Sequence, residues 1–352
     1  IRGSIYLADK ARAPVVSMSA LYLRTANFSA VIYGVLQFKY RSKRSSETMI
    51  QIQSLSHRYP KAETAALDNV SFDIADGECL GLLGHNGAGK TTLMSLLAGL
   101  QEVRQGEILF DGKPLRLLSR SERQKIGLVP QDFAFYPQLS VWDNLLFFAS
   151  LYKVRDKGRL NALLEQTDLT AHKNKAAKHL SGGLKRRLNF AIGLINTPQL
   201  VFLDEITVGI DPQSRRFILD SVADLTRQGV TVVYTSHYLS EIEQLCGKIA
   251  LLQHGKLVYH GGLDELLSTQ TGVVRFTVEL PLPPQTLAAL GAKQVDSRGM
   301  METTHDAAAV YAALQQSDAQ IRYFQQGHGS LETFYLDFLR KDEPATDKQN
   351  PQ

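Results

Sequence analysis

Cysteine is scarce in this chain. Cys79 and Cys246 are its two cysteines, and they lie far apart in the sequence without C-x-x-C spacing. The scarcity argues against a disulfide framework and against a zinc site, and it favours a reducing compartment. After residue 49 the chain also lacks any run close to the roughly 20 uncharged apolar residues of a membrane-spanning helix. With 44% apolar and 21% charged residues among 352, the composition is that of a globular protein with a sizeable core.

Excess charge is missing from most of the chain. The net charge is +4, but residues 1–48 alone carry eight basic and two acidic side chains. The remainder holds 31 basic and 33 acidic residues. The overall charge therefore gives no case for a nucleic-acid partner.

Segment 1–48 has two interpretations. Residues 13–38 are apolar enough to resemble a membrane segment, but Arg24 and Asn27 lie mid-span, where a charge is expensive, and a basic cluster follows at 39–44. The lack of a small-residue cleavage site disfavours a signal peptide. We expect the segment to be foreign to the working protein, with synthesis beginning at Met49, where an alternating strand pattern opens. A weak membrane anchor is the alternative.

Residues 49–271 alternate between strand and helix patterns. The apolar run at 79–83 is typical of a strand buried on both faces of a parallel sheet. Strands are predicted at 50–55, 67–74, 78–83 and 230–235, and helices at 90–100, 142–152 and 158–167. The alternation indicates an α/β domain with a mostly parallel sheet, and the stretch at about 132–190 indicates an all-helical insertion.

The pattern changes after residue 271. Strands are predicted at 273–279 and 321–325, a strand pair over 293–304, and helices at 285–290, 307–315 and 331–339. Residues 272–340 therefore indicate a small α+β domain. The tail 341–352 is polar and contains proline, and we expect it to be disordered.

The segment from Gly84 to Thr91 fits the pattern G-x-x-x-x-G-K-[ST] between an apolar strand and a helix. Its glycines let backbone N–H groups turn inward around phosphates, and the helix offers its positive end. Lys90 is placed to reach the β- and γ-phosphates, and the Thr91 hydroxyl to ligate magnesium. The nucleotide-binding candidates of this segment are Gly84, His85, Asn86, Gly87, Ala88, Gly89, Lys90, Thr91 and Thr92.

Two carboxylates, Asp204 and Glu205, end the apolar strand that begins at Leu200. Paired with a phosphate loop, Asp204 is expected to hold the magnesium ion and Glu205 to polarise the attacking water as general base. His237 ends the next β-rich run, one strand beyond the acidic pair, and is predicted to contact the γ-phosphate. Glu205 and His237 are therefore the catalytic candidates.

Ser181, Gly182 and Gly183 precede a helix with one apolar face. Ser181 suits an N-cap, and the two glycines leave the helix start bare of side chains, so that a phosphate could approach its N–H groups. A plain structural cap is the alternative. The basic residues 185–187 are expected to be solvated or paired with acidic neighbours.

The order and spacing of four motifs resemble the ATP-binding-cassette ATPase family over about residues 50–270. These motifs are the phosphate loop, the Leu180–Gly183 segment, the acidic pair and His237. The resemblance implies a P-loop NTPase cassette with an antiparallel β subdomain beside the mostly parallel sheet. The cofactors it implies are ATP and Mg²⁺.

The resemblance also assigns three further residues. It implies that Gln131 touches magnesium and links the site to the helical insertion, that Asp211 is a dimer-contact aspartate, and that Tyr59 stacks on adenine. The chain departs from the family pattern at Leu184, Ile206 and Ile210. None of these departures removes a charged or phosphate-touching group, so we expect activity to survive.

The resemblance further implies the partners. Two copies of such a chain clamp two ATP molecules, each between the phosphate loop of one copy and the Ser-Gly-Gly segment of the other. ATP binding closes this dimer and hydrolysis reopens it, and the helical insertion passes the motion to integral membrane permease subunits. The expected location is the cytoplasmic face of the cell membrane, as a peripheral subunit without a nucleic-acid partner. Segment 329–336 is similar to the closing motif of subunits serving drug, lipid and polysaccharide exporters. A cassette ATPase of translation or DNA maintenance is the alternative, although the second cassette or long coiled coil of those proteins is missing here.

Overall fold

The computed structural model describes residues 48–268, 273–279, 282–295, 299–317, 319–327 and 330–342. The predictions for segment 1–47 and for a disordered stretch at 343–352 lie outside these residues. The predicted tail boundary at 341 is wrong, because the closing helix continues to Asp342; arginine and lysine have high helix propensity, so a polar composition does not by itself end a helix. No helix in the described ranges combines the length and the apolar character needed to cross a membrane.

The strands define three sheets. They are β1 (Thr48–His57), β2 (Leu67–Ala75), β3 (Cys79–Leu83), β4 (Gln105–Phe110), β5 (Lys113–Pro114), β6 (Ile126–Val129), β7 (Leu200–Asp204), β8 (Thr231–Thr235), β9 (Lys248–Gln253), β10 (Lys256–Gly262), β11 (Val273–Val278), β12 (Lys293–Gln294), β13 (Met301–Thr303) and β14 (Ile321–Gly327).

The helices connect these strands or cover the sheets. They are α1 (Lys90–Leu97), α2 (Arg120–Arg123), α3 (Val141–Leu151), α4 (Lys157–Gln166), α5 (Gly182–Gly193), α6 (Pro212–Arg227), α7 (Leu239–Leu245), α8 (Leu263–Ser268), α9 (Pro284–Ala289), α10 (Ala307–Gln316) and α11 (Leu331–Asp342).

The central sheet, as far as the described residues define it, has six strands in the order β10-β9-β3-β8-β7-β6. The pairs from β9 to β6 are parallel, and the edge strand β10 is antiparallel. Every residue of β3 and β8 is buried, because strands covered on both faces carry apolar side chains at consecutive positions. The predicted mostly parallel sheet is confirmed, and the carboxyl ends of β3, β7 and β8 meet at one edge of it.

A second sheet, in the order β2-β1-β4-β5, is antiparallel, which confirms the expected antiparallel subdomain. Ile50 and Ile52 of this sheet share one buried core with Leu93 and Leu97 of α1 and with Leu80 of β3. Helix α1 is therefore packed against both sheets, and the loop before it is held firmly.

All regular structure described between β6 and β7 is helical. Helix α3 begins after Ser140, whose hydroxyl accepts a hydrogen bond from the Asp143 N–H. Helix α4 begins after Asp156, whose carboxylate accepts from the N–H groups of residues 158 and 159. These caps satisfy free N–H groups of the first turn.

The C-terminal part has its own sheet, in the order β12-β13-β11-β14, with a core that includes Phe276, Val310 and Leu314. The backbone N–H of Leu331 at the start of α11 donates to the Glu243 carboxylate of α7. The predicted α+β composition is confirmed, while the domain boundaries stay predictions.

Two predicted elements are shorter than expected. Helix α1 ends at Leu97 instead of residue 100, because Gly99 adopts a φ of 71° and the Leu100 N–H turns back to the carbonyl of Ser95, an ending that glycine favours. The strand pair predicted over 293–304 is confined to β12 and β13.

Candidate functional site

The phosphate loop runs from the end of β3 to the start of α1, and its glycines have positive φ angles: 152° at Gly84, 82° at Gly87 and 106° at Gly89. A Cβ atom at Gly84 would lie 2.5 Å from the Leu252 carbonyl oxygen, and one at Gly89 would lie 2.5 Å from that of Ala66. Backbone conformation and space therefore both require glycine at these two positions.

Lys90 points back into the loop. Its buried Nζ donates to the carbonyl oxygens of Gly84 at 2.7 Å and His85 at 3.2 Å. Burial lowers the pKa of Lys90, and the nearby carboxylates of Glu205 and Asp204 oppose that shift. A cation is thus held where a phosphate group would enter the loop.

Strand β8 positions both carboxylates at the end of β7. The Thr235 hydroxyl donates to Asp204 Oδ1 at 2.7 Å. The Glu205 N–H donates to the Thr235 backbone carbonyl at 3.2 Å and to the Thr235 hydroxyl at 3.0 Å. One threonine therefore fixes the side chain of the first acid and the backbone of the second.

Glu205 and His237 contact each other directly. His237 Nε2 lies 2.8 Å from Glu205 Oε1. The Glu205 carboxylate is largely buried, whereas the His237 side chain is 46% exposed. The histidine thus covers the acid from the solvent side, in a position to contact a third group placed between them and the phosphate loop.

These residues open onto one cavity of about 490 Å³. Its lining is Tyr59, Ala66, Asn86, Gly87, Gly89, Lys90, Thr91, Thr92, Gln131, Glu205 and His237. The Tyr59 hydroxyl is 3.2 Å from the Thr92 hydroxyl and accepts from Gln101, which holds the ring at the cavity edge. The cavity brings together most of the predicted residues, although stacking of Tyr59 on a base stays a prediction.

The predicted residues Ser181, Gly182, Gly183 and Asp211 are not among the described residues that line this cavity. Ser181 caps α5 by accepting from the Leu184 N–H. Asp211 caps α6 by accepting from the Ser214 N–H, and its bonds with Ser214 hold the pKa of Asp211 below the usual value. They therefore form a second group at the starts of two neighbouring helices.

Of the basic residues 185–187, Arg187 pairs with an acidic residue as predicted, whereas Arg186 does not. Arg186 is buried and donates to the backbone carbonyls of Pro130 and Gln131. Arg187 is also buried; it pairs with Asp168 at 2.6 Å and lies 3.9 Å over the Phe217 ring. The expectation that Arg186 is solvated or acid-paired is wrong, because the loop after β6 supplies carbonyl groups that only tertiary folding brings near.

Sequence reasoning also missed Thr235 and Glu241. Thr235 ends the strand before His237, so its place next to the acidic pair could have been inferred from strand order. Glu241 is buried to 1% exposure on α7, and the sequence alone has no signal that distinguishes it from an exposed helical glutamate.

Comparison with known proteins gives consistent likenesses. A family model described as ABC transporter matches residues 67–208. The chain is 38% identical over 235 residues to the linearmycin resistance ATP-binding protein LnrL of Bacillus subtilis (strain 168), covering 65% of this chain and 75% of LnrL. It is 32% identical over 297 residues to the Nod factor export ATP-binding protein I of Paraburkholderia xenovorans (strain LB400), covering 82% of this chain and 96% of the relative.

Solved structures are similar as well. The cbiO1 protein of Clostridium perfringens, part of the transporter complex cbiONQ, covers 63% of this chain and 92% of its own length at 28% identity with a TM-score of 0.56. A dimeric ATP-binding cassette in a post-hydrolysis state with bound ADP and Pi covers 61% of this chain and 99% of its own length, at 26% identity with a TM-score of 0.55.

Proposed function

This chain belongs to the ATP-binding-cassette (ABC) transporter family as an ATP-binding, ATP-hydrolysing subunit, and on that premise we propose that two copies of it power export through a separate membrane permease. The observation that supports the proposal best is the single cavity into which Lys90, Glu205 and His237 converge. Export is supported by the names of the relatives, which are an export protein and a drug-resistance protein. The chain would then act at the cytoplasmic face of the membrane as a peripheral subunit.

The residues of the cavity divide the chemistry among them. The loop N–H groups and Lys90 bind the β- and γ-phosphates of ATP and neutralise their charge. Glu205 Oε accepts a proton from the attacking water as the water oxygen bonds to the γ-phosphorus and the bond to the β-phosphate oxygen breaks. His237 holds the Glu205 carboxylate in place at 2.8 Å and contacts the γ-phosphate.

The donor set fits Mg²⁺. Thr91 and Gln131 line the cavity with oxygen ligands, and Asp204 is fixed next to it by Thr235. Mg²⁺ prefers oxygen ligands and commonly takes one or two carboxylates together with substrate phosphates. When bound, the ion would neutralise charge on the phosphate oxygens, with Thr91, Asp204 and Gln131 as its protein ligands.

A second copy would complete the site. Ser181, Gly182 and Gly183 at the start of α5, and Asp211 at the start of α6, lie outside the described lining of the cavity in their own chain. Such N-termini attract phosphate groups. We therefore assign them to the ATP bound in the phosphate loop of the partner copy.

The permease would dock on an exposed apolar patch that includes Phe133, Tyr136, Phe147 and Leu151, whose exposures are 43%, 49%, 37% and 50%. The rings of Tyr136 and Phe147 pack edge to face at 4.8 Å. Contiguous exposed apolar residues mark interaction surfaces. Arg186 lies 4.9 Å over the Phe133 ring and bonds to the Gln131 carbonyl, so the patch connects directly to the cavity.

The ATPase assignment is tested with Glu205→Gln. The amide keeps the shape but cannot accept the proton, so ATP binding is expected to persist while hydrolysis falls by about 100- to 10,000-fold, the usual contribution of a general base. Size-exclusion chromatography with Mg-ATP should then show a trapped dimer. Glu165→Gln, on the exposed side of α4, is the control. Hydrolysis at the wild-type rate by Glu205→Gln would refute the assigned base.

The docking surface is tested with Phe147→Ser. In cells that make the permease, this variant should lower the share of the chain recovered with solubilised membranes, while ATP hydrolysis by the free chain stays unchanged. Leu117→Ser removes a side chain that is 60% exposed elsewhere and serves as the matched control. Equal membrane recovery of both variants would contradict the assignment.

A further inference from the structure

Glu241 of α7 is a buried carboxylate with four donors around it. Its Oε2 accepts from the hydroxyls of Thr207 at 2.8 Å, Tyr234 at 2.8 Å and Ser236 at 2.5 Å. Its Oε1 accepts from Arg215 Nε at 2.5 Å. Burial, with the Glu241 charge as a further cause, raises the pKa of Tyr234, so that hydroxyl stays a donor. An ionised carboxylate is purely an acceptor and suits this arrangement.

One of the donors fixes the turn that carries His237. The Ser236 hydroxyl donates to Glu241 and accepts from the Tyr238 N–H at 3.0 Å. These bonds involve Ser236 and Tyr238, the residues immediately before and after the exposed His237. The backbone at His237 is thereby tied to a buried anchor on the helix that follows.

A second donor fixes the turn that carries Glu205. Thr207 follows two residues after Glu205, and the Val208 N–H donates to the Glu205 carbonyl at 3.2 Å. The backbone of Glu205 has a φ of 49°, which is unfavourable for a residue with a side chain and persists only where the surroundings impose it. The bond from Thr207 to Glu241 is one such constraint.

The third partner, Arg215, connects this cluster to α6. Its guanidinium donates to Glu241 and lies 3.9 Å over the ring of Tyr238. Arg215 lies in the first turn of α6, which Asp211 caps. The Glu241 carboxylate therefore joins three segments: the turn after Glu205, the turn around His237 and the start of α6.

We propose that Glu241 is a positioning residue for ATP hydrolysis: it holds the turns of Glu205 and His237 at the separation of 2.8 Å that their contact requires. This inference rests on the proposed roles of Glu205 and His237. Glu241 is not among the described residues that line the cavity, and it acts on the reaction through the groups that donate to it: Thr207, Tyr234, Ser236 and Arg215.

Glu241→Gln tests the proposal. The amide group brings two N–H donors to a place where three hydroxyls and a guanidinium already donate, so some of these bonds must break. A displacement near 1 Å at a catalytic group lowers the rate by up to about 100-fold. We expect kcat to fall to that extent in the full chain with Mg-ATP, while KM for ATP stays unchanged because the phosphate loop is untouched.

Thr207→Val and Thr207→Ser form a matched pair that leaves the charge of Glu241 in place. The valine loses the hydroxyl and should lower kcat, whereas the serine retains it and should restore the rate. Glu243→Gln, the same change at an exposed position of α7, should leave kcat unchanged. If Glu241→Gln does not fold, the kcat values of Thr207→Val, Thr207→Ser and Ser236→Ala test the positioning role instead.

The outcomes separate this proposal from the ATPase assignment. Reduced kcat with constant KM in Glu241→Gln and Thr207→Val, rescued in Thr207→Ser, supports the positioning role. Wild-type kcat in Thr207→Val and Ser236→Ala overturns it. Wild-type hydrolysis by Glu205→Gln would instead overturn the assigned base, whatever the Glu241 variants do.

Discussion

Lys90 shows how a single residue combines opposite electrostatic effects. Its ammonium group is buried, which lowers its pKa, and two carboxylates nearby act in the opposite direction. The carbonyl groups of Gly84 and His85 satisfy two of its three donors. The lysine side chain is therefore held inside the loop, next to the place where phosphate charge would arrive.

Lys90→Ala is expected to weaken ATP binding by about 10- to 100-fold, the equivalent of losing hydrogen bonds to a charged group, about 1.5–3 kcal/mol. Calorimetric titration of the full chain with Mg-ATP measures the effect. Lys175→Ala, at an exposed lysine, should bind like the wild type. Equal affinities for the two variants would contradict the assigned role of Lys90.

Gly183 and Gly182 are neighbours with different surroundings. A Cβ atom at Gly183 would lie 1.9 Å from the Ser214 hydroxyl oxygen and 2.5 Å from the Ser214 Cβ, whereas one at Gly182 would meet nothing closer than the Gly209 carbonyl at 3.7 Å. The starts of α5 and α6 touch at Gly183 and leave Gly182 open to solvent.

Gly183→Ala is therefore expected to destabilise the chain by about 1–3 kcal/mol, as overpacking does. Differential scanning fluorimetry should record a lower Tm for this variant and an unchanged Tm for Gly182→Ala. Although its Tm is unchanged, Gly182→Ala should weaken ATP-dependent dimerisation, because the added methyl group covers the exposed start of α5. Equal Tm values for both alanine variants would show that the contact with Ser214 is not tight.

At the scale of the element, helix α5 is tied to distant loops by one side chain. Arg186 donates to Pro130 and Gln131 in the loop after β6, and its guanidinium also lies within 3.5 Å of the Val208 carbonyl in the turn after Glu205. Burial lowers the pKa of Arg186, but the carbonyl groups compensate part of the lost hydration. Helix α5 therefore cannot move without the loop that carries Gln131.

Arg186→Leu should lower both stability and hydrolysis. Loss of bonds to a charged donor corresponds to about 1.5–3 kcal/mol, and the free carbonyl groups would let the Gln131 loop shift. Arg186→Lys should recover little, because a lysine cannot reproduce the planar fork. Chemical denaturation and ATPase rates measure the two effects, with Lys185→Leu on the same helix as control. If Lys185→Leu lowered stability and the ATPase rate as much as Arg186→Leu, the effect could not be assigned to the hydrogen bonds of Arg186.

Elements differ in how far the sequence predicts them. The phosphate loop is predictable because its glycines are required by local backbone geometry, and β3 and β8 because consecutive apolar residues indicate a covered strand. Strand β9 was not predicted, since its run of four apolar residues is too short to separate strand from helix by periodicity. The predicted ends of α1 and of the closing helix each differ from the structure by three residues, because caps depend on details such as the φ of Gly99.

Buried charges are the part that the sequence does not predict. Arg186 bonds to residues 55 and 56 positions away, and Glu241 to Thr207, 34 positions away. Their roles depend on tertiary contacts, whereas Lys90, Asp204 and Glu205 lie at ends of regular elements that strand order already places together. The predicted roles of Ser181, Gln131, Asp211 and Tyr59 stay predictions.

At the scale of the whole molecule, the two groups of candidate residues lie apart in one chain. Residues of the phosphate loop and Glu205 line the cavity, and the starts of α5 and α6 are not among its described lining residues. A two-fold interface uses the same patches on both subunits. A symmetric pair of copies would therefore place the cavity of each copy against the starts of α5 and α6 of the other copy. Composite sites of this kind make a distinct prediction for mixtures of inactive variants.

Lys90→Ala damages the phosphate loop alone, and Gly182→Asp places a negative charge at the exposed start of α5 alone. Each variant by itself is expected to be inactive, because every site in its dimer has one damaged half. In an equal mixture, random pairing gives half mixed dimers with one intact site of two, so activity should return to about a quarter of the wild-type rate. The ATPase rate of the mixture, incubated with Mg-ATP after separate purification, is the measurement. If each chain instead used its own Ser181–Gly183 segment, every site in the mixture would carry one damaged half, and no activity would return.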